Sequence, residues 1–385
     1  MRYWILALGL CWALGAQALP LVEKQRFALD SFTTQSGTTL KEVAVGWEAY
    51  GTLNADKSNA ILITHFFSGS SHAAGKYSDQ DPLPGYWDAI IGPGKAIDTD
   101  KYYVLSVDTL ANANAFDPHV ITTGPASLNP ATGKPYGLDF PVVSIRDFVN
   151  VQKALLDKLG INKLHAVVGA SMGSFQALDW AVAYPDKVER MVSVIGAGQM
   201  DPWTVYGLER WSDPIKADPA WHNGHYYEQG QPKTGLTKAV AYIIYDATYP
   251  DGFNSRYTPP TDAAPKSDIR AGYKSVDELM GHAAIRAHFQ DANAILYLVR
   301  ASQMFLAGYN GKLEDNLAKV SAKTLFMPAS HDRLLVPKMA RSTYETLKKL
   351  GKDSQYQEID GVWGHLDGLV NIQSQGQVLK DFLDK

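Results

Sequence analysis

Apolar positions along this chain keep two different rhythms. Residues 40–52, LKEVAVGWEAYGT, alternate around Val43, Val45 and Trp47, which predicts an early strand ending in a turn. The run 60–64 (AILIT) is instead continuously apolar, the pattern of a strand buried on both faces, and residues 102–107 read the same way. From 145 to 159 the period lengthens, with Phe148, Val151, Leu155 and Leu159 at helical spacing before Gly160. A strand over 164–168 follows, then a helix over 172–184 stopped by Pro185, and further strands over 188–195 and 324–327. Strands alternating with helices imply an α/β architecture, a mostly parallel sheet with helices on both faces.

Residues 200–320 break that rhythm. They are rich in Trp, Tyr, Pro and Asp and then turn helical near 275–307, so they read as a mainly helical lid inserted before the last strands. The expected organisation is a core over 19–199, the lid over 200–320, and the rest of the core over 321–385. At the front, MRYWILALGLCWALGAQA has an early Arg2, an apolar run, and Ala16-Gln17-Ala18. That is the build of a secretory signal peptide over 1–18, cleaved after Ala18, with secretion to the periplasm as the expected destination. The apolar run is too short to span a membrane, and no other stretch reaches 18 uninterrupted apolar residues. Cys11, the single cysteine, leaves with the signal, so neither a disulfide nor thiol chemistry is expected. The formal charge of −4 and the lack of a basic run with interleaved aromatics argue against a nucleic-acid partner.

Candidate chemistry sits between the 164–168 strand and the 172–184 helix, where Gly169-Ala170-Ser171-Met172-Gly173 fits G-x-S-x-G. By itself the pattern also suits a glycine-rich turn with an incidental serine. A strand directly before and a helix directly after are what a nucleophile elbow needs, because the sharp bend exposes the hydroxyl at a helix N-terminus. A serine hydroxyl needs a base, and the base an orienting carboxylate, here expected in the order Ser, acid, His. Asp332 lies just past the 324–327 strand and His365 in a loop after a late strand expected over 356–359; His331 and Asp367 are the neighbouring rivals. Two backbone donors are needed for an oxyanion, and Met172 and Phe67 (in THFFSG, after the 60–64 strand) are the candidates. His65 and His72 read as loop packing, and His222 with His225 as a chance pair without a third metal ligand, so no metal or other cofactor is expected.

With these residues in hand, the chain resembles the homoserine O-acetyltransferase family of the α/β-hydrolase fold. The resemblance runs through EAYGTLN (48–54), THFFSGSSHAAG (64–75), PGYWDAIIGPGKAIDTDKYYV (84–104) and TGPASLNPATGKPYGLDFP (123–141). It continues through GASMGSFQALDWAVAYP, DPAWHNGHYYEQGQPKTGL (218–236) and DANAILYLVRA (291–301). It implies Ser171, Asp332 and His365 as the triad, Phe67 and Met172 as the oxyanion donors, and transfer of an acyl group from acyl-CoA to an amino-acid hydroxyl. Members often pair through the lid, so a homodimer is one state the resemblance implies.

Three positions depart from the family pattern. Ser174 stands where the elbow usually has a second glycine, and Leu366 where an aspartate usually follows the histidine. Ser212 aligns with the arginine that grips the acceptor carboxylate, with Arg210 two residues away. The expectation is therefore a secreted serine hydrolase that cleaves a small acyl ester through an acyl-Ser171 intermediate. The alternatives are an acyltransferase using acyl-CoA and a small hydroxyl acceptor, and a non-catalytic binding protein on the same fold.

Overall fold

The computed structural model describes residues 21–385; the candidate signal peptide lies outside the described residues. In chain order the strands are β1 (Gln25–Thr33), β2 (Thr39–Tyr50), β3 (Ala60–Thr64), β4 (Ile91–Gly92), β5 (Ile97–Asp98), β6 (Tyr103–Val107), β7 (Ala166–Ala170), β8 (Arg190–Val194), β9 (Lys323–Met327) and β10 (Ser354–Tyr356). The α-helices are α1 (Ile145–Leu159), α2 (Met172–Ala183), α3 (Pro202–Ala217), α4 (Lys233–Ala247), α5 (Pro250–Arg256), α6 (Lys274–Ala287), α7 (Ala292–Gln303), α8 (Leu313–Leu317), α9 (Pro337–Lys349), α10 (Asp367–Val370) and α11 (Gly376–Asp384). The main sheet has eight strands in the order β1-β2-β6-β3-β7-β8-β9-β10, while β4 and β5 pair separately. Only β1–β2 and β2–β6 are antiparallel; from β6 to β10 every pairing is parallel. This is the α/β-hydrolase fold, with helices on both faces of the sheet.

The period-two geometry of strands divides the core in two. Leu62, Leu105, Val167, Met191 and Phe326 face one side, with Phe148 and Leu155 of α1 and Leu178 of α2. Ile61, Ile63, Val104, Val168, Val192 and Leu325 face the other, against Trp87, Ile90 and α11's Leu379 and Phe382. Because both faces are covered, the central strands carry continuous apolar runs.

Local signals set the element ends. At the start of α1 the Ser144 backbone N–H donates to Asp147 at 2.7 Å, and Gly160 closes the helix at φ +70°. The helix after the elbow ends at Ala183, one residue before the expected limit, because Pro185 forces Tyr184 out of helical backbone (φ −132°, ψ 60°). The expected 164–168 strand lies two residues later, at β7. Leu164 makes only a single bridge to Val188, while Ala170 still pairs with Val194 and carries the strand up to Ser171. Between β8 and β9 the chain is helical, α3 through α8, and α3 packs on both α4 and α7. No helix among the described residues is long and apolar enough to cross a membrane.

Candidate active site

At the end of β7 the chain reverses through Ser171, whose backbone sits at φ +56°, ψ −121°. A non-glycine residue there is strained, and the cost is met only where the surroundings leave no alternative. Those surroundings are tight. A Cβ on Gly173 would lie 2.0 Å from the Thr64 carbonyl oxygen, and one on Gly169 would lie 2.2 Å from that of Gly173. Both glycines of the motif are thus required by close backbone approach between the elbow and the end of β3. Position 174 tolerates a side chain: the buried Ser174 hydroxyl donates to the Ser171 carbonyl at 2.5 Å.

Two loops beyond later strands reach the same point. His365 Nε2 lies 2.8 Å from Ser171 Oγ, and His365 Nδ1 lies 2.6 Å from Asp332 Oδ2. The second Asp332 oxygen accepts from the Leu334 and Leu335 amides at 2.8 and 3.0 Å, which fixes the carboxylate plane. With Nδ1 facing a carboxylate, the neutral ring carries its proton there and leaves Nε2 to accept from the serine. All three side chains are buried. The rivals lie elsewhere. Asp367 accepts from the Trp363 amide at 2.9 Å, and burial pushes its carboxyl up. His331 stacks on Tyr249 with ring centroids 4.6 Å apart. His222 and His225 are exposed, and His222 and Asn223 form a left-handed turn.

Phe67 and Met172 line one small cavity with Ser171. It offers about 20 Å³, room for one water-sized group, and its other walls include Phe175, Met200, Leu208 and Trp211. Among the described residues, neither the Phe67 nor the Met172 amide has an internal acceptor. Arg210 turns elsewhere: its guanidinium is 3.5 Å from Asp246 and lies over the Tyr242 ring at 5.6 Å. Asp246 also accepts from Trp211 Nε1 at 2.8 Å, so one carboxylate of α4 orders both neighbours on α3. Ser212 is buried.

Sequence reading missed the polar cluster beneath the loop that carries Phe67. Buried Glu48 takes Lys24 at 2.7 Å, His72 at 3.1 Å, Tyr50 at 2.8 Å and Tyr77 at 2.6 Å. Tyr50 in turn receives the Ala73 and Ala74 amides, and Asp108 the Ser71 amide at 2.6 Å. His72 therefore does more than pack: it belongs to this cluster. The signal available was position, since Asp108, Asn112 and Asn114 follow β6 on the edge where such sheets build sites.

Burial alone would raise the Glu48 carboxyl, but the His72 hydrogen bond and the charge and hydrogen bond of Lys24 outweigh it and hold it at about 2. A carboxyl depressed in the folded state contributes stability above its unfolded value, near 4.5, and loses it as pH falls toward 2. The stability gap between wild type and Glu48→Gln should be widest above pH 4.5, on the order of 3 kcal/mol, and close toward pH 2. Urea unfolding across that range measures it, and a gap that does not change with pH contradicts the assignment.

The same architecture recurs in known proteins. The model of the alpha/beta hydrolase fold family matches residues 83–371. Homoserine O-acetyltransferase of Methanococcoides burtonii is 40% identical over 356 residues, covering 91% of this chain and 71% of that one. The crystal structure of esterase E22 is 57% identical, with a TM-score of 0.92, over 94% of this chain and 100% of that one. The crystal structure of homoserine O-acetyltransferase from Bacillus anthracis is 36% identical at the same TM-score, over 95% and 99%.

Proposed function

The chain belongs to the homoserine O-acetyltransferase-like family of α/β-hydrolases, whose chemistry is acyl transfer or ester hydrolysis, and from that premise we propose that it is a secreted esterase acting through Ser171. In this reading Ser171 Oγ gives its proton to His365 Nε2 and attacks the ester carbonyl. Asp332 holds the ring and stabilises the imidazolium. The Phe67 and Met172 amides receive the oxyanion. His365 returns the proton to the departing alcohol, leaving acyl-Ser171. Water then gives a proton to His365 as it attacks the acyl carbon, and the carboxylic acid leaves as serine regains its hydrogen. The cavity of about 20 Å³ beside Ser171 favours a short acyl group.

The observation that carries hydrolysis over transfer is the placement of Arg210. An acceptor must outcompete concentrated water, which calls for a fixed charge that holds it in line. A guanidinium suits an amino-acid carboxylate, but Arg210 is engaged by Asp246 and Tyr242. The signal peptide expected from residues 1–18 supports the same reading, since secretion would separate the enzyme from cytosolic acyl-CoA. Esterase E22, at 57% identity, is a hydrolase by name. The second reading, an acyltransferase, is favoured by the homoserine O-acetyltransferases at 34–40% identity.

Stopped-flow deacylation separates the two readings. Millimolar homoserine or serine should leave breakdown of the acyl-enzyme unchanged, and Arg210→Ala should alter ester hydrolysis by less than about tenfold. An acceleration by the amino acid that vanishes in Arg210→Ala would establish the transferase instead. For the secreted assignment, an N-terminus at Leu19 in protein recovered from outside the cytoplasm is expected; intact Met1 in cytosolic protein refutes it.

A further inference from the structure

His65 sits at the junction of β3 and the loop that carries Phe67, with no exposed surface. Its two ring nitrogens meet different partners. Nε2 faces two N–H donors, the Thr109 amide at 3.1 Å and Asn112 Nδ2 at 3.3 Å. Nδ1 faces the carbonyl oxygen of Phe66 at 2.8 Å. Only one neutral tautomer satisfies all three: Nε2 accepts, and Nδ1–H donates to Phe66. Burial pushes the imidazole below its ordinary range, against a smaller opposing pull from Asp108.

The Phe66 carbonyl and the Phe67 N–H belong to one peptide unit. In a trans peptide they point in opposite directions, and every peptide bond described here is trans. Whatever holds that oxygen therefore aims that hydrogen. The oxygen has two holders: the His65 Nδ1–H and the Gly69 amide, which closes a four-residue turn at 2.9 Å. The neighbouring carbonyls are tied as well. Gln176 binds that of His65 at 3.2 Å, Asn114 that of Ser68 at 3.0 Å, and Asn112 that of Gly69 at 3.1 Å. Phe67 is left as the residue of this loop that shares a cavity wall with Ser171, its amide without an internal acceptor.

We propose that His65 is a positioning residue for the reaction: by binding the Phe66 carbonyl it orients the Phe67 N–H toward the oxyanion formed at Ser171. The role rests on the acyl-Ser171 reading above and deepens it. His65 touches no reacting atom. Its contribution is to remove the alternative in which this peptide rotates and presents a carbonyl oxygen to a developing negative charge, where it would repel.

Two substitutions divide the ring's functions. His65→Asn keeps a donor where Nδ1 was and loses the acceptor; His65→Gln keeps an acceptor near the Nε2 position and loses the donor. With a short activated ester, His65→Gln should lower kcat at least tenfold with KM within about threefold, and by no more than the roughly 10²–10³-fold that loss of a whole oxyanion donor costs. Affinity for an alkylboronic acid, which forms a tetrahedral adduct on Ser171, should fall in parallel. His65→Asn should stay closer to wild type in both.

Equal activity and equal boronate affinity in wild type and His65→Gln overturn the proposal, and so does His65→Asn being the worse variant. A kcat loss without weaker boronate binding also overturns it, since a general packing defect would do that. Independent of either variant folding, the ¹⁵N-histidine spectrum of the wild-type protein must show His65 neutral and protonated at Nδ1. The Nε2–H tautomer, or a charged ring at neutral pH, refutes the role. A serine-directed phosphonate that fails to label wild-type Ser171 would sink the acyl-serine reading; normal labelling with an unaffected His65→Gln sinks the positioning role alone.

Discussion

Ser171→Ala is expected to lower ester hydrolysis by about 10⁴-fold or more while the protein stays folded. The size follows from the site. Ser171 Oγ is the group within hydrogen-bonding distance of His365 Nε2, and no other hydroxyl contacts that nitrogen among the described residues. What remains after its removal is the background from backbone donors acting on water attack. Folding should survive because the elbow is held by backbone: Ser171 N–H donates to Val194 O at 2.9 Å, and Ser174 N–H to Ser171 O at 2.8 Å. Alanine adopts φ +56° no worse than serine does. The checks are the initial rate with an activated ester, a melting curve, and mass mapping of a phosphonate adduct. Labelling at a second residue, or an undiminished rate in the variant, would remove Ser171 from the mechanism. A ligand bound equally well by both proteins, with no turnover in either, would favour the binding-protein reading.

The second large effect should come from Asp332→Asn, roughly 10⁴-fold in turnover with little change in thermal stability. The carboxylate accepts the His365 Nδ1 proton at 2.6 Å. An amide nitrogen in that place donates instead, which turns the ring to its other tautomer and puts a proton on the nitrogen that must accept from serine. The remaining oxygen can still accept from the Leu334 and Leu335 amides, so the loop keeps its shape. Asp367→Asn serves as the control. That carboxylate binds the Trp363 amide, and its other oxygen is buried without a partner, so its loss should act on stability more than on turnover. If Asp367→Asn proves the more damaging to kcat, the acid has been assigned to the wrong loop.

Much of the core was legible in the order of residues. The continuous apolar runs of β3 and β6, the helical spacing of α1 and the glycine that ends it are local signals, read from neighbours alone. β1 escaped notice because an edge strand exposes one side: in QRFALDSFT only Phe27 is fully buried. β10 lies at Ser354–Tyr356, not in the expected 356–359, because its three residues pair with β9 and Ile359 adds only one bridge, to Ala329. Such short pairings depend on a partner strand that periodicity cannot identify.

Ser171, Asp332 and His365 could be placed together in advance because each follows a strand of one parallel sheet, and parallel strands deliver their C-terminal ends to the same edge. Side-chain direction within that edge is a different matter. Arg210 is two residues from the position where the family has its arginine, a spacing that leaves open whether it turns inward. Asp246, on another helix, decides that it turns to α4. His65 likewise reads as an ordinary loop histidine until Thr109 and Asn112 arrive beside Nε2 and force its proton onto Nδ1.

By itself, then, the sequence determined the central elements, their alternation, and the loops in which a nucleophile, an acid and a base would lie. Those follow from backbone conformation and periodic burial, which are local. Only the tertiary structure decided which carboxylate meets the histidine, where Arg210 points, and which peptide carbonyls are tied down around Phe67. Hydrogen bonds and ion pairs act over about 3 to 4 Å, and their partners are brought together by the sheet from positions tens to hundreds of residues apart.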